Sequence, residues 1–387
     1  MQVPKLRFKE FNDEWQLKKL NEISFEVKRK TTNTNYEVLT ISAKKGFVSQ
    51  KERFSKIIAG GSLEKYNLLK RNEISYNKGA SKSFKYGCVY IQKQYDYALV
   101  PNVYISFSFI NNNPYFYEKL FENHYLDKSL RMMITSTARQ DGLLNIDRKQ
   151  FFNIKVPVPS LEEQTKIANF LSLIDRKIEL QEKLVENLKL YKKGLLQKVF
   201  SNNHGWKSIK LSQVLFERKV YAEKGQYTHV SLTIDGIIDK SERYDRDFLV
   251  THQNKKYKIT KYNDICYNPA NLKFGVICRN NFGTAIFSPI YVTFEISKLA
   301  NPIFISLYLS DNSFINKVRK YEEGTVYERM SVKPEDLLKV NIKIPSIEEQ
   351  NRIANLFSNL DKKIEFETKK LQDLKTYKKG LLQQMFI

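Results

Sequence analysis

Two short loops carry the side chains of this sequence that are best suited to bind a charged polymer. Each follows a strand-like run and combines asparagine and lysine with small residues. Asparagine, lysine and arginine hydrogen-bond to base edges, while serine and lysine also hold phosphates. An ordinary polar loop after a strand has the same composition, so both interpretations stay open. The candidate nucleic-acid ligands are Asn77, Lys78, Ser81, Lys82 and Lys85 in the first loop and Asn268, Asn271 and Lys273 in the second.

The sequence contains no recognisable catalytic or metal-binding motif. The four histidines have no cysteine or histidine partners at metal-ligand spacing, and the 14 glycines form no phosphate-binding loop. Asn268-Pro269 resembles the start of the Asn-Pro-Pro-aromatic motif of adenine methyltransferases, but Ala270 and Asn271 interrupt it. Nuclease carboxylate sites are too variable to exclude by inspection. A non-catalytic protein without a metal site is therefore the prediction.

The positive charge of the chain is concentrated in two segments. The 387 residues carry a formal net charge of +23. Residues 1–158 account for +12 and residues 201–344 for +7, whereas 159–200 and 345–387 carry only +2 each. A lysine-rich source organism would also raise these values. Clustered lysine and arginine attract phosphates regardless of sequence, so a nucleic acid is the expected partner.

Cysteine use and hydropathy predict a cytoplasmic protein. Cys88, Cys266 and Cys278 lie far apart in strand-like runs, which favours buried thiols in a reducing compartment over a disulfide framework. No apolar run approaches the roughly 20 residues of a membrane-spanning helix. The first residues lack the apolar core of a signal peptide. No membrane partner is expected.

The elements that must position the loops are present twice. Residues 159–197 return as residues 345–383, offset by 186 positions, with about 23 of 39 residues identical. A fainter repeat relates residues 66–77 to residues 257–268 at an offset of 191. Such a repeat indicates two copies of one unit, related by an approximate internal two-fold. The predicted α+β fold has a β-rich module at 1–158, a long helix at 159–200, a second β-rich module at 201–344 and a second long helix at 345–387.

Each long repeated segment is predicted to form one helix of about 40 residues, or roughly 60 Å. Ser160 and Ser346 are each followed three residues later by glutamate, the spacing of a capping box. Apolar positions recur every 3.5 residues, which is typical of a coiled coil. An antiparallel helix pair acting as a spacer is the prediction. The alternative is two separate helices, each packed on its own module.

Polar residues within the two apolar seams predict how the helices pair. If the numbers of facing residues sum to 559, Lys192 faces Glu367 and Gln181 faces Lys378. Gly194 and Gly380 interrupt the helices, either for a kink or for close approach of another helix. The predicted interhelical contacts are made by Ile178, Val185, Leu188, Lys192 and Leu195 in the first helix and by Ile364, Glu367, Leu371, Leu374 and Leu381 in the second.

The doubled motif Pro-Ser-Leu/Ile-Glu-Glu-Gln…Ile-Ala…Tyr-Lys-Lys-Gly-Leu-Leu-Gln resembles the specificity subunit of type I restriction–modification enzymes. The resemblance extends over the whole chain. It implies a non-catalytic subunit in which two target-recognition domains each read half of an asymmetric, bipartite site in double-stranded DNA. The antiparallel helices then act as a ruler that fixes the spacer between the half-sites.

The same resemblance implies partner proteins. Two methylation subunits would dock on the helices, bind AdoMet and methylate adenine. Restriction subunits would add translocation and cleavage that depend on ATP and Mg²⁺, and the chain itself would bind no cofactor. A stand-alone tandem nucleic-acid-binding protein without partners is the alternative function.

Overall fold

The fold is seen in a computed structural model that describes residues 3–33, 35–54, 60–134, 143–222, 227–234, 236–240, 256–322 and 331–386. The chain divides into two compact units. Unit one comprises Met1–Glu182 and Lys369–Ile387, and unit two comprises Lys183–Thr368. Each unit therefore combines one β-rich module with part of both long helices.

Twenty-one strands and ten α-helices lie within the described residues. The strands are β1 (Gln16–Lys19), β2 (Ser24–Glu26), β3 (Glu37–Ser42), β4 (Gly46–Ser49), β5 (Asn67–Lys70), β6 (Ile74–Asn77), β7 (Cys88–Ile91), β8 (Tyr97–Val100), β9 (Ile105–Phe109), β10 (Lys155–Val158), β11 (Lys207–Lys210), β12 (Leu215–Glu217), β13 (Tyr221–Ala222), β14 (Val230–Thr233), β15 (Gly236–Asp239), β16 (Tyr257–Thr260), β17 (Ile265–Tyr267), β18 (Ile277–Arg279), β19 (Ala285–Phe287), β20 (Val292–Ile296) and β21 (Asn341–Ile344). The helices are α1 (Leu20–Ile23), α2 (Gln50–Phe54), α3 (Pro114–Glu122), α4 (Asp127–Met133), α5 (Arg148–Phe152), α6 (Leu161–Ser201), α7 (Pro302–Leu309), α8 (Asn312–Val318), α9 (Pro334–Leu338) and α10 (Ile347–Met385).

Unit one contains two four-stranded sheets and a two-stranded ribbon. One sheet is antiparallel with the order β2-β9-β6-β7. The other has the order β4-β3-β8-β5, in which β3 and β8 run parallel. The ribbon pairs β1 with β10, the strand that leads directly into α6. Buried aromatic side chains such as Tyr76, Phe107 and Phe116 fill the core beneath the first sheet.

Unit two repeats this topology. The sheet β12-β20-β17-β18 corresponds to β2-β9-β6-β7, and the ribbon β11-β21 corresponds to β1-β10. The second sheet is divided into β13-β16-β19 and the hairpin β14-β15. A parallel bridge between His229 and Ile286 stands where β3 and β8 pair in unit one. The faint sequence repeat in the modules thus corresponds to one shared fold.

The long helices α6 and α10 begin where the capping serines predicted. The hydroxyl oxygen at each start accepts the amide proton three residues later, at 3.2 Å for Ser160 and 3.4 Å for Ser346. The expected reciprocal bond is not made by Glu163. Its buried carboxylate instead accepts hydrogen bonds from Arg7 at 2.7 Å and from the Trp15 indole at 3.1 Å. Glu163 therefore fastens α6 to the N-terminal segment.

Within unit one, α6 and α10 pack together in antiparallel directions. Asp175 contacts Lys378 at 2.5 Å, and Glu182 contacts Lys375 at 2.6 Å. Residue numbers that increase along α6 thus pair with residue numbers that decrease along α10. Both helices also contribute apolar side chains to the core of the module, including Leu171 from α6.

Within unit two, the same arrangement uses the other end of each helix. Lys192 of α6 forms an ion pair with Asp361 of α10. Further along α6, Phe200 shares a core with Phe357, which lies earlier in α10. The predicted antiparallel helix pair is therefore confirmed in each unit.

The ion pairs differ from the two polar contacts that the predicted register gave for Lys192 and Lys378. Lys192 contacts Asp361 rather than Glu367, and its repeat equivalent Lys378 contacts Asp175 rather than the predicted glutamine. The residue numbers of these two pairs sum to 553 and those of Glu182 with Lys375 to 557, whereas the predicted polar pairs sum to 559. For Lys378, the flexible stem brings the ammonium to a carboxylate, which gives a charge-assisted bond that the predicted glutamine amide could not give. Seam periodicity alone does not decide that choice.

The seam itself lies where the period predicts. Ile178, Leu188 and Leu195 in α6 and Ile364, Leu371 and Leu374 in α10 are half-buried, while Val185 and Leu381 are buried. The side chains next to them in sequence are mostly exposed. The predicted apolar pairs, Val185 with Leu374 and Leu195 with Ile364, stay predictions.

Candidate nucleic-acid interface

The first candidate loop follows β6, and two of its predicted ligands hold the loop together. The Asn77 side-chain oxygen accepts a hydrogen bond from the Gly79 amide at 3.0 Å. The Lys78 ammonium donates to the Ile146 carbonyl at 2.9 Å. Both side chains are half-buried. Asn77 and Lys78 thus have structural roles that the composition of the loop did not show.

The tip of the same loop is a tight turn. The Ser81 hydroxyl oxygen accepts from the Phe84 amide at 3.1 Å, and the Ser81 amide donates to the Phe84 carbonyl at 2.9 Å. Lys82 and Lys85 are exposed around this turn. Within the described chain, neither ammonium has an ion-pair or hydrogen-bond partner. These two lysines are therefore available to a polyanion.

Gly87 closes the first loop in a conformation that needs glycine. Its φ is +82°, and a Cβ at this position would lie 2.4 Å from the Asn77 carbonyl oxygen and 2.6 Å from the Tyr76 ring. L-residues rarely adopt this φ, and the backbone contact leaves no room to relax. The close approach holds both ends of the loop together.

The second candidate loop is a 3₁₀ turn, Pro269–Phe274, that follows β17. The Asn268 side chain caps it by accepting from the Ala270 amide at 3.1 Å. Asn271 and Lys273 are half-buried, and the Lys273 ammonium lies 5.4 Å from the centre of the Phe274 ring. Phe274 is 62% exposed. Asn268 is thus a capping residue, while the other two retain accessible polar atoms.

Both loops rest against a second segment of their own module. The Lys78 carbonyl accepts from the Leu144 amide at 3.0 Å, and at the equivalent place the Pro269 carbonyl accepts from the Val332 amide at 3.1 Å. The Tyr267 hydroxyl also donates to the Val332 carbonyl at 3.0 Å. These supporting segments lie more than 60 positions further along the chain, so the loop sequences carried no signal for them.

Buried tyrosines support both loops. Tyr76 and Tyr267 occupy equivalent positions in β6 and β17, and each is fully buried. Burial raises the pKa of both phenols far above the ordinary range, so each stays a neutral hydrogen-bond donor. Each loop therefore follows a strand with a fully buried tyrosine at or next to its end.

The cysteines have no reactive character. Cys88 and Cys266 are buried and unpaired, and Cys278 is half-buried. Burial raises the pKa of the Cys88 thiol to about 11 and that of Cys266 to about 12. A thiol in this state is a poor nucleophile. The prediction of buried free thiols is confirmed for Cys88 and Cys266, while Cys278 is a free thiol that is only half-buried.

The described residues contain neither a metal-binding cluster nor a membrane-spanning helix. No group of three histidine, cysteine, aspartate or glutamate side chains there is placed to hold a metal ion. None of the helices in the described part of the chain combines the length and apolar character of a bilayer span.

The chain is similar in sequence to known proteins. The sequence profile described as type I restriction modification DNA specificity domain matches residues 12–190 and 204–376. The MjaVIII type I restriction enzyme specificity subunit of Methanocaldococcus jannaschii is 25% identical over 299 residues, which cover 68% of this chain and 69% of the relative. The putative MjaX specificity subunit of the same organism is 26% identical over 281 residues, covering 67% of this chain and 64% of the relative.

The fold also matches a solved structure. The type I restriction–modification S subunit from M. genitalium superposes with a TM-score of 0.60, covering 100% of this chain and 99% of that one. Only 16% of the aligned residues are identical. The likeness therefore concerns the fold, including the repeated module and helix.

Proposed function

The chain belongs to the family of type I restriction–modification DNA specificity subunits, and from this we propose that each of its modules reads one half of a bipartite DNA target. The protein is the DNA specificity subunit of a type I system and a non-catalytic component of that enzyme. The observation that supports this proposal is a loop at the same position in both modules with a different sequence in each. The loop is Asn77–Lys85 in the first module and Asn268–Phe274 in the second. Two modules of the same fold with different contact residues would bind two different half-sites, as an asymmetric target requires.

The proposed recognition domains are residues 1–158 and 201–344, and the proposed helical regions are 159–200 and 345–387. Among the candidate ligands, we assign DNA contact to Lys82, Lys85, Asn271 and Lys273. Their polar atoms are accessible, whereas Asn77, Lys78, Ser81 and Asn268 form hydrogen bonds that shape the loops. Lysine holds phosphates and guanine edges, and asparagine suits adenine.

The proposed partners are two methylation subunits, each docked on one outward face of the helices. In unit one, Leu180 and Tyr377 are 51% and 54% exposed, and in unit two, Tyr191 and Phe366 are 61% and 64% exposed. Large apolar side chains exposed on helices are typical of interaction surfaces.

The helix glycines support the same proposal. Gly380 lies three residues after Tyr377, and Gly194 lies three residues after Tyr191, so each pair shares a helix face. A Cβ at either glycine would meet no atom of the described residues within 4 Å. No close approach among the described residues explains these glycines, which supports close approach of a partner helix over a contact within the chain. AdoMet, ATP and Mg²⁺ would be bound by the methylation and restriction subunits, and the complex would act on DNA in the cytoplasm.

The test is to express the chain with its methylation subunits and to map adenine methylation across a host genome. The expected product is one asymmetric motif with two defined halves and an unspecific spacer. Replacing residues 1–158 with the module of a relative should change one half and leave the other half and the spacer intact. A swap that alters both halves together would contradict the two-reader proposal. Methylation that ignores sequence would contradict the assigned function.

A further inference from the structure

Both modules are joined to their long helix by the same hydrogen bond. In unit one, the Asn113 amide at the start of α3 donates to the Gln164 side chain at 2.8 Å. In unit two, the Asn301 amide at the start of α7 donates to the Gln350 side chain at 2.9 Å. Both glutamines are buried and belong to the repeated Glu-Glu-Gln motif. These equivalent bonds define the seat of each module.

Beyond this shared bond, unit one has a buried cluster of charges, here called the ionic latch. The Lys119 ammonium of α3 contacts Glu122 at 3.1 Å and also pairs with Asp175 of α6. Lys378 of α10 contacts the same two carboxylates. Glu118 lies 4.0 Å from Lys119. The latch therefore links one module helix to both long helices.

The two lysines and Glu118 of the latch are largely shielded from water, whereas Glu122 and Asp175 are each 33% exposed. The Lys119 side chain is 7% exposed, that of Glu118 5% and that of Lys378 13%. Burial alone would lower the pKa of Lys119, but Glu122, Asp175 and Glu118 outweigh it and the net pKa is raised. The lysine thus stays charged, and the part of its compensation that comes from Asp175 of α6 exists only while the module is seated.

Unit two has the same helix pair without the charges from the module. Asp361 and Lys192 are the repeat equivalents of Asp175 and Lys378, and they pair with each other. The positions of Glu118 and Lys119 are taken on α7 by Ser306 and Leu307, and that of Glu122 by Ser310, the C-cap residue of α7. Leu307 instead packs against the apolar core of unit two.

One hydrogen bond of Glu118 is also made by its equivalent in unit two, Ser306. Glu118 accepts a hydrogen bond from the Ile91 amide at 3.0 Å. At the equivalent place, the Ser306 hydroxyl accepts from the Arg279 amide at 3.2 Å. The backbone requirement is therefore met in both units, and the remaining difference is the presence of the buried charges.

We propose that Lys119 is a positioning residue that locks the first module onto the helices through directional charge contacts, whereas the second module is held by apolar packing. Hydrogen-bonded charges fix one orientation, because any displacement leaves a buried charge unpaired. Apolar contact is non-directional and tolerates small displacements. The first module consequently has one defined seat, and the second has a more adaptable one.

Hydrogen exchange on the full chain without DNA tests this directly. In Lys119→Leu, the Asn113 amide should exchange about a hundredfold faster or more, since breaking one partner of a buried pair is strongly destabilising. The Asn301 amide of the second seat should keep its rate. As a matched control, Lys128→Leu, an exposed lysine on α4, should change neither amide. An unchanged Asn113 rate in Lys119→Leu, or equal acceleration of both amides, would overturn the proposal.

A rescue experiment separates lost charge balance from lost packing. The triple variant Glu118→Ser, Lys119→Leu, Glu122→Ser reproduces the second module and leaves Asp175 paired with Lys378. Protection of the Asn113 amide should return to within about tenfold of the wild type. Lys378→Met removes the α10 lysine of the latch and should also increase the exchange rate of the Asn113 amide. If the single variants fail to fold, recovery of folding by the triple variant supports the proposal, and its failure to fold contradicts it.

The consequence for DNA rests on the proposed function and is measured separately. In the assembled methyltransferase, duplexes with the mapped target and with a spacer one base pair longer or shorter are compared. Wild type and Lys128→Leu should prefer the natural spacer, and Lys119→Leu should lose about tenfold of that preference. A wild type without target preference would refute the proposed function but leave the exchange result standing. A Lys119→Leu enzyme with full spacer preference would refute the positioning role.

Discussion

Lys82 and Lys85 differ from the other basic residue of the first loop in being free of partners within the described chain. Lys78 is committed to the Ile146 carbonyl. A lysine that already holds a partner in the protein releases fewer counterions from DNA when the protein binds. Lysines of the same loop therefore contribute unequally to DNA affinity. The loop therefore contains both binding and structural lysines.

We predict that the double variant Lys82→Gln, Lys85→Gln lowers the salt dependence of DNA binding. Each neutralised phosphate contact contributes about 0.9 to the slope of log K against log salt, so the slope should fall by roughly 1.8. Stability should stay within about 0.5 kcal/mol. The measurement is fluorescence anisotropy with the methyltransferase complex between 50 and 200 mM salt, a range in which the effect is large. Lys189→Gln, an exposed residue on α6, is the matched control, and equal slopes for both variants would place the DNA elsewhere.

Gly87 gives a second test at a single position. Gly87→Ala would bring a Cβ to 2.4 Å from a backbone oxygen. We expect a loss of about 2 kcal/mol or more of unfolding free energy, measured by urea denaturation. Gly275 has a similar φ of +79° but no atom within 4 Å of the same added group. Gly275→Ala should therefore cost only the backbone penalty of about 1 kcal/mol, and similar losses for the two variants would rule out the steric explanation.

Among the secondary-structure elements, α3, α6 and α10 meet at the ionic latch, which makes unit one sensitive to acid. Burial by itself raises the pKa of Asp175, but Lys119 and Lys378 outweigh it and hold the net pKa below its usual range. His124, Lys375 and Lys379 line the same cleft. A depressed folded pKa stabilises the unit above the unfolded pKa, and this stabilisation is lost as pH falls through the folded value.

We accordingly predict that the unfolding free energy of the wild type falls as pH is lowered from about 5 to about 3. Asp175→Asn should be less stable at neutral pH and should show a shallower decline in this window. Asp361→Asn is the matched control, because the exposed Lys192–Asp361 pair contributes only about 0–1 kcal/mol. Chemical denaturation at a series of pH values measures both effects. Parallel pH profiles for Asp175→Asn and the wild type would contradict the assignment of acid sensitivity to this carboxylate.

For the whole molecule, the unit boundaries divide both long helices at equivalent points. The division falls after Glu182 in α6 and after Thr368 in α10, positions that differ by the repeat offset of 186. If the helices act as the ruler that the family resemblance implies, a change in its length must be made in both helices. Changing the length of only one helix would shift the seam residues out of register.

We predict that inserting four helix-forming residues after both Glu182 and Thr368 lengthens the spacer of the DNA target. Four residues add about 6 Å of helix, which corresponds to roughly two base pairs. Both half-sites should remain unchanged, and methylation mapping in cells that also express the methylation subunits gives the answer. The control carries the same four residues after Glu182 alone and should lose activity. An unchanged spacer with an active double insertion would exclude the helices as the ruler.

Local features of this chain were predictable because they depend on neighbouring residues. The 3.5-residue period and the serine caps predicted both long helices, found as Leu161–Ser201 and Ile347–Met385. The internal repeat predicted two modules of one fold. The run from His229 to Asp239, in contrast, alternates like one strand but forms the hairpin β14-β15, in which Thr233 pairs with Gly236.

The partners of the polar side chains were decided only by tertiary contacts. Glu163 binds Arg7 and Trp15, and Lys192 binds Asp361, although each was predicted to pair with another residue. In the candidate site, the loop sequence identified where ligands could lie but not that Lys78 was already engaged. These partners lie from 68 to 169 positions away in the chain. A charge or hydrogen bond is satisfied by whichever group the fold brings within about 3 Å, and sequence spacing carries no record of that distance.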